Sequence, residues 1–323
     1  MPRIKRIAAI VFPLMACAAL PMVIRDRYFF HIYMYFCIYC LLAASMRFAM
    51  LAGAVNFAHA GFMGIGAYIC ATLVMKANLG FWFSIIVSAG CSALVAVIFG
   101  VVTLRLRGAY FFLVTFALSE IIRIVFSNYL VSLFGGVNGL VGIPAPRAIM
   151  GISFEAGSIR LLYVIALITL FCLMMMYSME RGYWGKVFQG ISESHDLAEA
   201  IGVNLMKFKV AALAIAAFIA GIAGSLYGAF NGIITPEDFS YHLSLFSLVA
   251  IILGGRDHFL GPLLGVVVLV VLAELFRNAS YYEPIIWGLC IIAVMMFKPK
   301  GLVGLITEVL SLGKMAAVKT KGR

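Results

Sequence analysis

From residue 29 to residue 297 the chain is a succession of apolar runs, most of them close to bilayer-crossing length, set off by basic or turn-forming clusters. That pattern leaves few folds open. A helix that is apolar on every side must be covered by protein or by lipid, and about 20 apolar residues match a hydrocarbon core ~30 Å thick. With 64% hydrophobic and only 11% charged residues, a soluble protein of this length could not hide so much apolar surface. The pattern therefore predicts an all-α polytopic membrane protein with about ten transmembrane helices. The expected spans are 7–24, 29–51, 57–76, 81–104, 109–134, 160–179, 210–233, 243–254, 260–276 and 284–297. Glycines interrupt the third, and the eighth is short. Residues 1–310 read as one transmembrane domain and 311–323 as a basic tail.

The formal charge of +11 would suit a nucleic-acid partner, but the basic residues stand at the ends of apolar runs, where membrane topology explains them. Arg3, Lys5 and Arg6 precede the first run, which reads as a signal anchor rather than a cleaved leader. An even number of spans puts both termini on one side. The positive-inside rule makes that side cytoplasmic, because Arg105, Arg107, Arg181, Lys186, Lys207, Lys209, Arg256 and the basic tail fall there. The opposite side receives Arg25, Arg27, Lys76, Arg147, Arg160 and Arg277. The loop 135–159 then faces outward. All seven cysteines lie within apolar runs, and the C-x-x-C of Cys37 and Cys40 has no second pair to complete a zinc site, so they read as small core residues.

The chain carries no G-x-x-x-x-G-K-[ST] phosphate loop and no H-E-x-x-H run, so ATP-driven work would need another subunit. The longest polar stretch is 180–209, ERGYWGKVFQGISESHDLAEAIGVNLMKFK, a cytoplasmic island between two spans. Leu197, Ile201, Leu205 and Phe208 recur there at helical spacing, and Gly202 can end a helix. The mixed charge of the island favours docking to a protein over lying on lipid.

Three other clusters could carry function. Asn56 and His59 stand three apart beside glycines, with Phe62 following on the same run. Broken helices at membrane depth are tolerated where they line a cavity, which makes these residues candidates for a solute path; interhelical hydrogen-bond glue is the other reading. Glu120 and Arg123 are spaced to pair on one helix, as a structural ion pair or as a gating or substrate contact. The outer run at 135–144, with Gly135, Gly136, Asn138, Gly139 and Pro144, predicts a tight loop that either docks a protein or simply connects. In addition, Ala212, Ala216, Ala220, Gly224, Gly228 and Gly232 form a small-residue stripe suited to close helix packing within the subunit.

At these motifs the chain resembles the branched-chain amino-acid (Liv-type, LivM-like) permeases of ABC importers. The resemblance runs from about residue 51 to about residue 305. It rests on the Gly-rich run 56–68, L-R-x-R-G-x-Y-F at 104–111, E-I-I-R at 120–123 and G-G-x-N-G-L-x-G-I-P at 135–144. E-A-x-G-x-N at 199–204, L-G-G followed by G-P-x-x-G at 253–265, and F-x-P-x-G-L-x-G at 297–304 complete it in the same order. The resemblance implies a type II importer-like permease in a bacterial inner membrane. It would work with a homologous second permease, two cytoplasmic ATPase subunits and a periplasmic solute-binding protein, and need no cofactor of its own, ATP being hydrolysed by the partners. Glu199, Ala200, Gly202 and Asn204 then fall at a coupling helix gripped by an ATPase. The rival reading, an ion-coupled secondary transporter, would need intramembrane carboxylates, for which Glu120 and Glu274 are the candidates.

Overall fold

The structure, a computed structural model, describes residues 27–106, 108–129, 131–146, 158–277, 285, 287–289, 292, 296 and 301–304. In chain order the helices are α1 (Arg27–Leu51), α2 (His59–Met75), α3 (Phe81–Thr103), α4 (Ala109–Asn128), α5 (Val131–Phe134) and α6 (Ile159–Arg181). Then come α7 (Tyr183–Glu193), α8 (His195–Ala200), α9 (Leu205–Asn231), α10 (Tyr241–Gly254) and α11 (Gly261–Leu275). Two short strands, β1 (Leu140–Val141) and β2 (Ile233–Ile234), pair antiparallel. Among the described residues α1, α3, α4, α6 and α9 are long and apolar enough to cross a bilayer, and α2 and α11 are shorter apolar helices. The expected span 7–24, the tail 311–323 and most of 284–297 lie outside the described residues.

The described residues form two compact units, divided between Leu245 and Phe246. In the first, α9 is the central post and packs most closely on α3, α2 and α1. Its small-residue stripe explains why. Ala212, Ala216, Ala220, Gly224 and Gly228 are all buried, and a Cβ on Gly224 would collide with the carbonyl of Met63. Gly66 of α2 meets the backbone of Gly221 with no room for a side chain, and a Cβ on Gly221 would stand 2.7 Å from Ser92 Oγ. Such approach in a lipid-embedded protein rests on van der Waals contact and interhelical hydrogen bonds. The bonds are present. Ser88 and Ser225 hydroxyls meet at 2.9 Å, Ser92 Oγ donates to Phe62 O at 3.0 Å, and Ser225 Oγ donates to Gly66 O at 3.2 Å.

Local chemistry sets the helix ends, and it shifts two expected spans. The run 109–134 is not one helix. It stops at Asn128, Tyr129 is extended, and α5 follows, with Lys76 Nζ donating to the carbonyls of Ser132 and Leu133. The span expected from residue 210 begins at Leu205, because Asn204 Oδ1 caps the helix by accepting from Lys207 N at 3.0 Å. In the second unit, α11 meets the residues of α10 beyond 246 backbone to backbone. A Cβ on Gly265 would collide with the carbonyl of Ala250, one on Gly254 with the carbonyl of Gly261, and one on Gly261 with the carbonyl of Gly255.

Candidate functional site

The polar island folds as helix, turn, helix at the end of the first unit that also carries the α1–α2 and α3–α4 turns. α7 seats Phe188 and Ile191 inward, both fully buried, and Phe188 packs edge-on against Phe48 of α1. Gly185 is required there, since a Cβ would strike the carbonyl of Glu180. Beneath it, Arg47 and Glu180 form a two-pronged ion pair with both bonds at 2.8 Å, tying α1 to the end of α6. Arg47 is only 2% exposed, so its guanidinium is held inside the protein against Glu180.

α8 follows directly. Ser194 Oγ accepts from Leu197 N at 3.3 Å and starts it. Gly202, at φ +86°, turns the chain out of it into Asn204 and α9. Leu197, Ile201, Leu205 and Phe208 therefore do not make one stripe. Leu197 and Ile201 are 65% and 74% exposed, whereas Leu205 and Phe208 begin α9 half-buried. Glu199, Ala200, Gly202 and Asn204 are exposed beside them. The short helix and its C-cap residue Ile201 present two bare apolar side chains and a carboxylate, anchored inward by Ala198. A cavity of about 690 Å³ opens between α8 and the neighbouring turns, lined among others by Gly53, Arg105, Phe112, His195, Glu199, Asn204 and Lys209.

The start of α2 is enclosed. Asn56 is 1% exposed and its Oδ1 accepts from Ala58 N at 2.9 Å. His59 is fully buried, with Nε2 2.8 Å from Ser45 Oγ. Thr115 Oγ1 accepts from Phe57 N, and Ser244 Oγ accepts from Ala60 N and donates to Phe57 O. Phe62 is buried, its carbonyl taken by Ser92. Asn56 Nδ2 and His59 Nδ1 are buried without a hydrogen-bond partner in the structure. Ser45, Thr115 and Ser244 were not singled out from the sequence; a hydroxyl within an apolar run is their only signal.

At the opposite end of the first unit, Arg123 Nε bonds Glu120 Oε2 at 2.8 Å, as the spacing predicts, and Arg123 Nη1 reaches Glu237 Oε1 at 2.7 Å. Glu237, in the turn after β2, is a partner that i, i+3 spacing cannot reveal. The outer loop is tight, as expected. Gly135, Gly136 and Gly139 take positive φ, and Gly139 and Gly135 pass too close to carbonyls for a Cβ. β1 pairs with β2, and the amides of Gly142 and Ile143 both donate to Gly232 O at 2.9 Å. Val137, Asn138 and Pro144 stay exposed on this knob. The remainder of the loop, 147–157, lies outside the described residues.

Residues 28–298 match the family model described as "Branched-chain amino acid transport system / permease component". The "High-affinity branched-chain amino acid transport system permease protein LivM" of Escherichia coli K12 is 29% identical over 87% of this chain and 71% of its own. The protein of the same name from Salmonella typhimurium is 30% identical over 82% of this chain and 67% of its own. The "Probable branched-chain amino acid transport permease protein LivM" of Methanocaldococcus jannaschii is 26% identical over 75% and 69%. No solved structure matches the chain. Together with the bilayer-length helices, these likenesses make it a multi-pass membrane protein. The chain belongs to the permease-component family of branched-chain amino acid transport systems.

Proposed function

We propose that this chain is a transmembrane permease subunit of an ATP-binding-cassette importer for branched-chain amino acids or a related small polar or organic solute, in a bacterial inner membrane. Family membership supports the class. The observation that carries the mechanism is α8, a capped rod that exposes Leu197, Ile201 and Glu199 at the tip of the polar island.

An exposed apolar pair beside a carboxylate is a surface for a soluble partner, and two cytoplasmic ATPase subunits are the partners the family pattern calls for. α8 is coupled to the helices that would have to move. Gly202 and the Asn204 cap lead straight into α9, the post on which α1, α2 and α3 pack, and α7 is locked to α1 and α6 through Phe188 and the nearby Arg47–Glu180 pair. Closure of the ATPase dimer around ATP would push α8 and rock these helices between inward- and outward-facing states, which is alternating access driven by a partner's differential affinity. Both termini, α8 and the cavity beside it then face the cytoplasm. The knob formed by 135–144 and β2 faces the periplasm, where a solute-binding protein would dock, and the second, homologous permease completes the pathway. Among the described residues, the carboxylates that an ion-coupled carrier would use are each set against an arginine, Glu120 on Arg123 and Glu274 near Arg277.

The test is charge reversal at Glu199 in the assembled importer. Glu199→Lys leaves membrane insertion intact and abolishes substrate-stimulated ATP hydrolysis. Full stimulated hydrolysis in that variant would reject α8 as the coupling element.

A further inference from the structure

The cavity beside α8 has two unlike walls. One is basic and polar: Arg105 from the α3–α4 turn, Lys209 from α9 and His195 from α8, together with Glu199 and Asn204. The other is apolar and continues out of the cavity. Leu106 and Phe112 line it and are also 39% and 41% exposed, and they merge with the bare surface of Val102, Tyr110 and Leu113 on α3 and α4. That surface belongs to two helices long and apolar enough to cross a bilayer, where exposed apolar side chains suit contact with hydrocarbon. Arg105 carries no hydrogen bond or ion pair among the described residues. Lys209 Nζ stands 3.1 Å from His195 Nε2 and donates to it, which fixes the ammonium against the wall.

From this juxtaposition we infer a binding site for one anionic phospholipid, its phosphate between Arg105 and Lys209 and its acyl chains lying along the exposed faces of α3 and α4. A basic cavity that opens sideways onto a lipid-covered helix pair suits a ligand with an anionic head and an apolar tail, and it suits a free anion poorly, because half of its wall is hydrocarbon-like. Arg105 and Lys209 outnumber Glu199 among the lining residues, which favours a headgroup of net negative charge. Glu199 and Asn204 can bond the hydroxyls of a glycerol headgroup, so phosphatidylglycerol is the fit, and phosphatidylethanolamine, with no net charge, is not. A lipid held here would touch α8 and the first turn of α9 at once. Only the choice of leaflet, the cytoplasmic one, rests on the reading given under Proposed function; the binding site does not.

The experiment uses the full chain purified in a neutral detergent and titrated with phosphatidylglycerol, phosphatidylethanolamine, phosphatidylcholine or inorganic phosphate, with bound lipid counted by native mass spectrometry. One phosphatidylglycerol binds preferentially. Arg105→Gln and Lys209→Gln each weaken it about fivefold, the equivalent of the ~1 kcal/mol that a basic side chain contributes at an anionic surface. Arg105→Lys retains most of the affinity, and Lys186→Gln, on the exposed side of α7, leaves it unchanged. Equal retention of the three lipids, competition by millimolar inorganic phosphate alone, or loss of binding in Lys186→Gln as large as in Arg105→Gln would each overturn the assignment. Because the readout is lipid bound to this chain alone, it is independent of ATP hydrolysis and of solute uptake.

Discussion

Removing the carboxylate of Glu180 tests whether the root of the polar island is held by the pair it forms with Arg47. The two bonds of 2.8 Å join α1 to α6, and the guanidinium is 2% exposed against 21% for the carboxylate. In Glu180→Met the guanidinium stays enclosed without the carboxylate that faces it. Breaking a buried pair from one side costs about 3–5 kcal/mol, and the partial exposure of Glu180 places this case near the lower end, about 3 kcal/mol. Replacing both partners by apolar groups of similar length removes charge and counter-charge together, so Arg47→Met with Glu180→Met should lie within about 1 kcal/mol of the parent. The coupling between the two sites is then about 2 kcal/mol or more. The assay is reversible unfolding in mixed micelles of the parent, both single variants and the double variant, read as a double-mutant cycle. A double variant as unstable as the sum of the singles, within about 0.5 kcal/mol, would refute the claim that the pair acts as a unit.

Other consequences follow from the packing. Gly66→Val forces a branched side chain into the backbone of Gly221, so α2 and α9 must part; the variant should lose at least 1–3 kcal/mol of stability and most of its folded yield, measured by size-exclusion chromatography after extraction. An unchanged elution profile would contradict the close α2–α9 approach. His59→Ala removes the buried bond to Ser45, which should cost about 0.6–2 kcal/mol and lower solute uptake while the subunits still assemble. Uptake at the parent rate would leave His59 as packing alone.

How much of this could be read from the chain alone follows from the range of the interactions involved. The helices α1, α3, α6 and α9 were legible because each is an apolar run bounded by residues that cap or turn. The end of α8 was legible at Gly202, and Glu120–Arg123 at its spacing, because both depend on residues within one helical turn. The break at Tyr129 was not, since apolar residues resume directly after Ser127 and Asn128 and Lys76, which closes α5, lies far back in the chain. Arg47–Glu180, Arg123–Glu237 and the β1–β2 pairing join segments that are remote in sequence, and no local pattern encodes them. The small-residue stripe of α9 predicted close packing and named its own residues, but not Gly66 and Met63 as what they meet. Leu197 and Ile201 share a period with Leu205 and Phe208, yet the turn at Gly202 puts them on different elements. Their exposure, the feature that now points to a docking surface, was hidden by that false continuity.

The account stands or falls on where α8 points and what holds it. A single cysteine at Ala200, in a chain otherwise free of cysteine, should react with an impermeant maleimide only from the cytoplasmic side of oriented vesicles. It should also cross-link to the ATPase subunit in a yield that changes when ATP is bound. Labelling from the periplasmic side, or a cross-link indifferent to nucleotide, would contradict a permease driven through this helix.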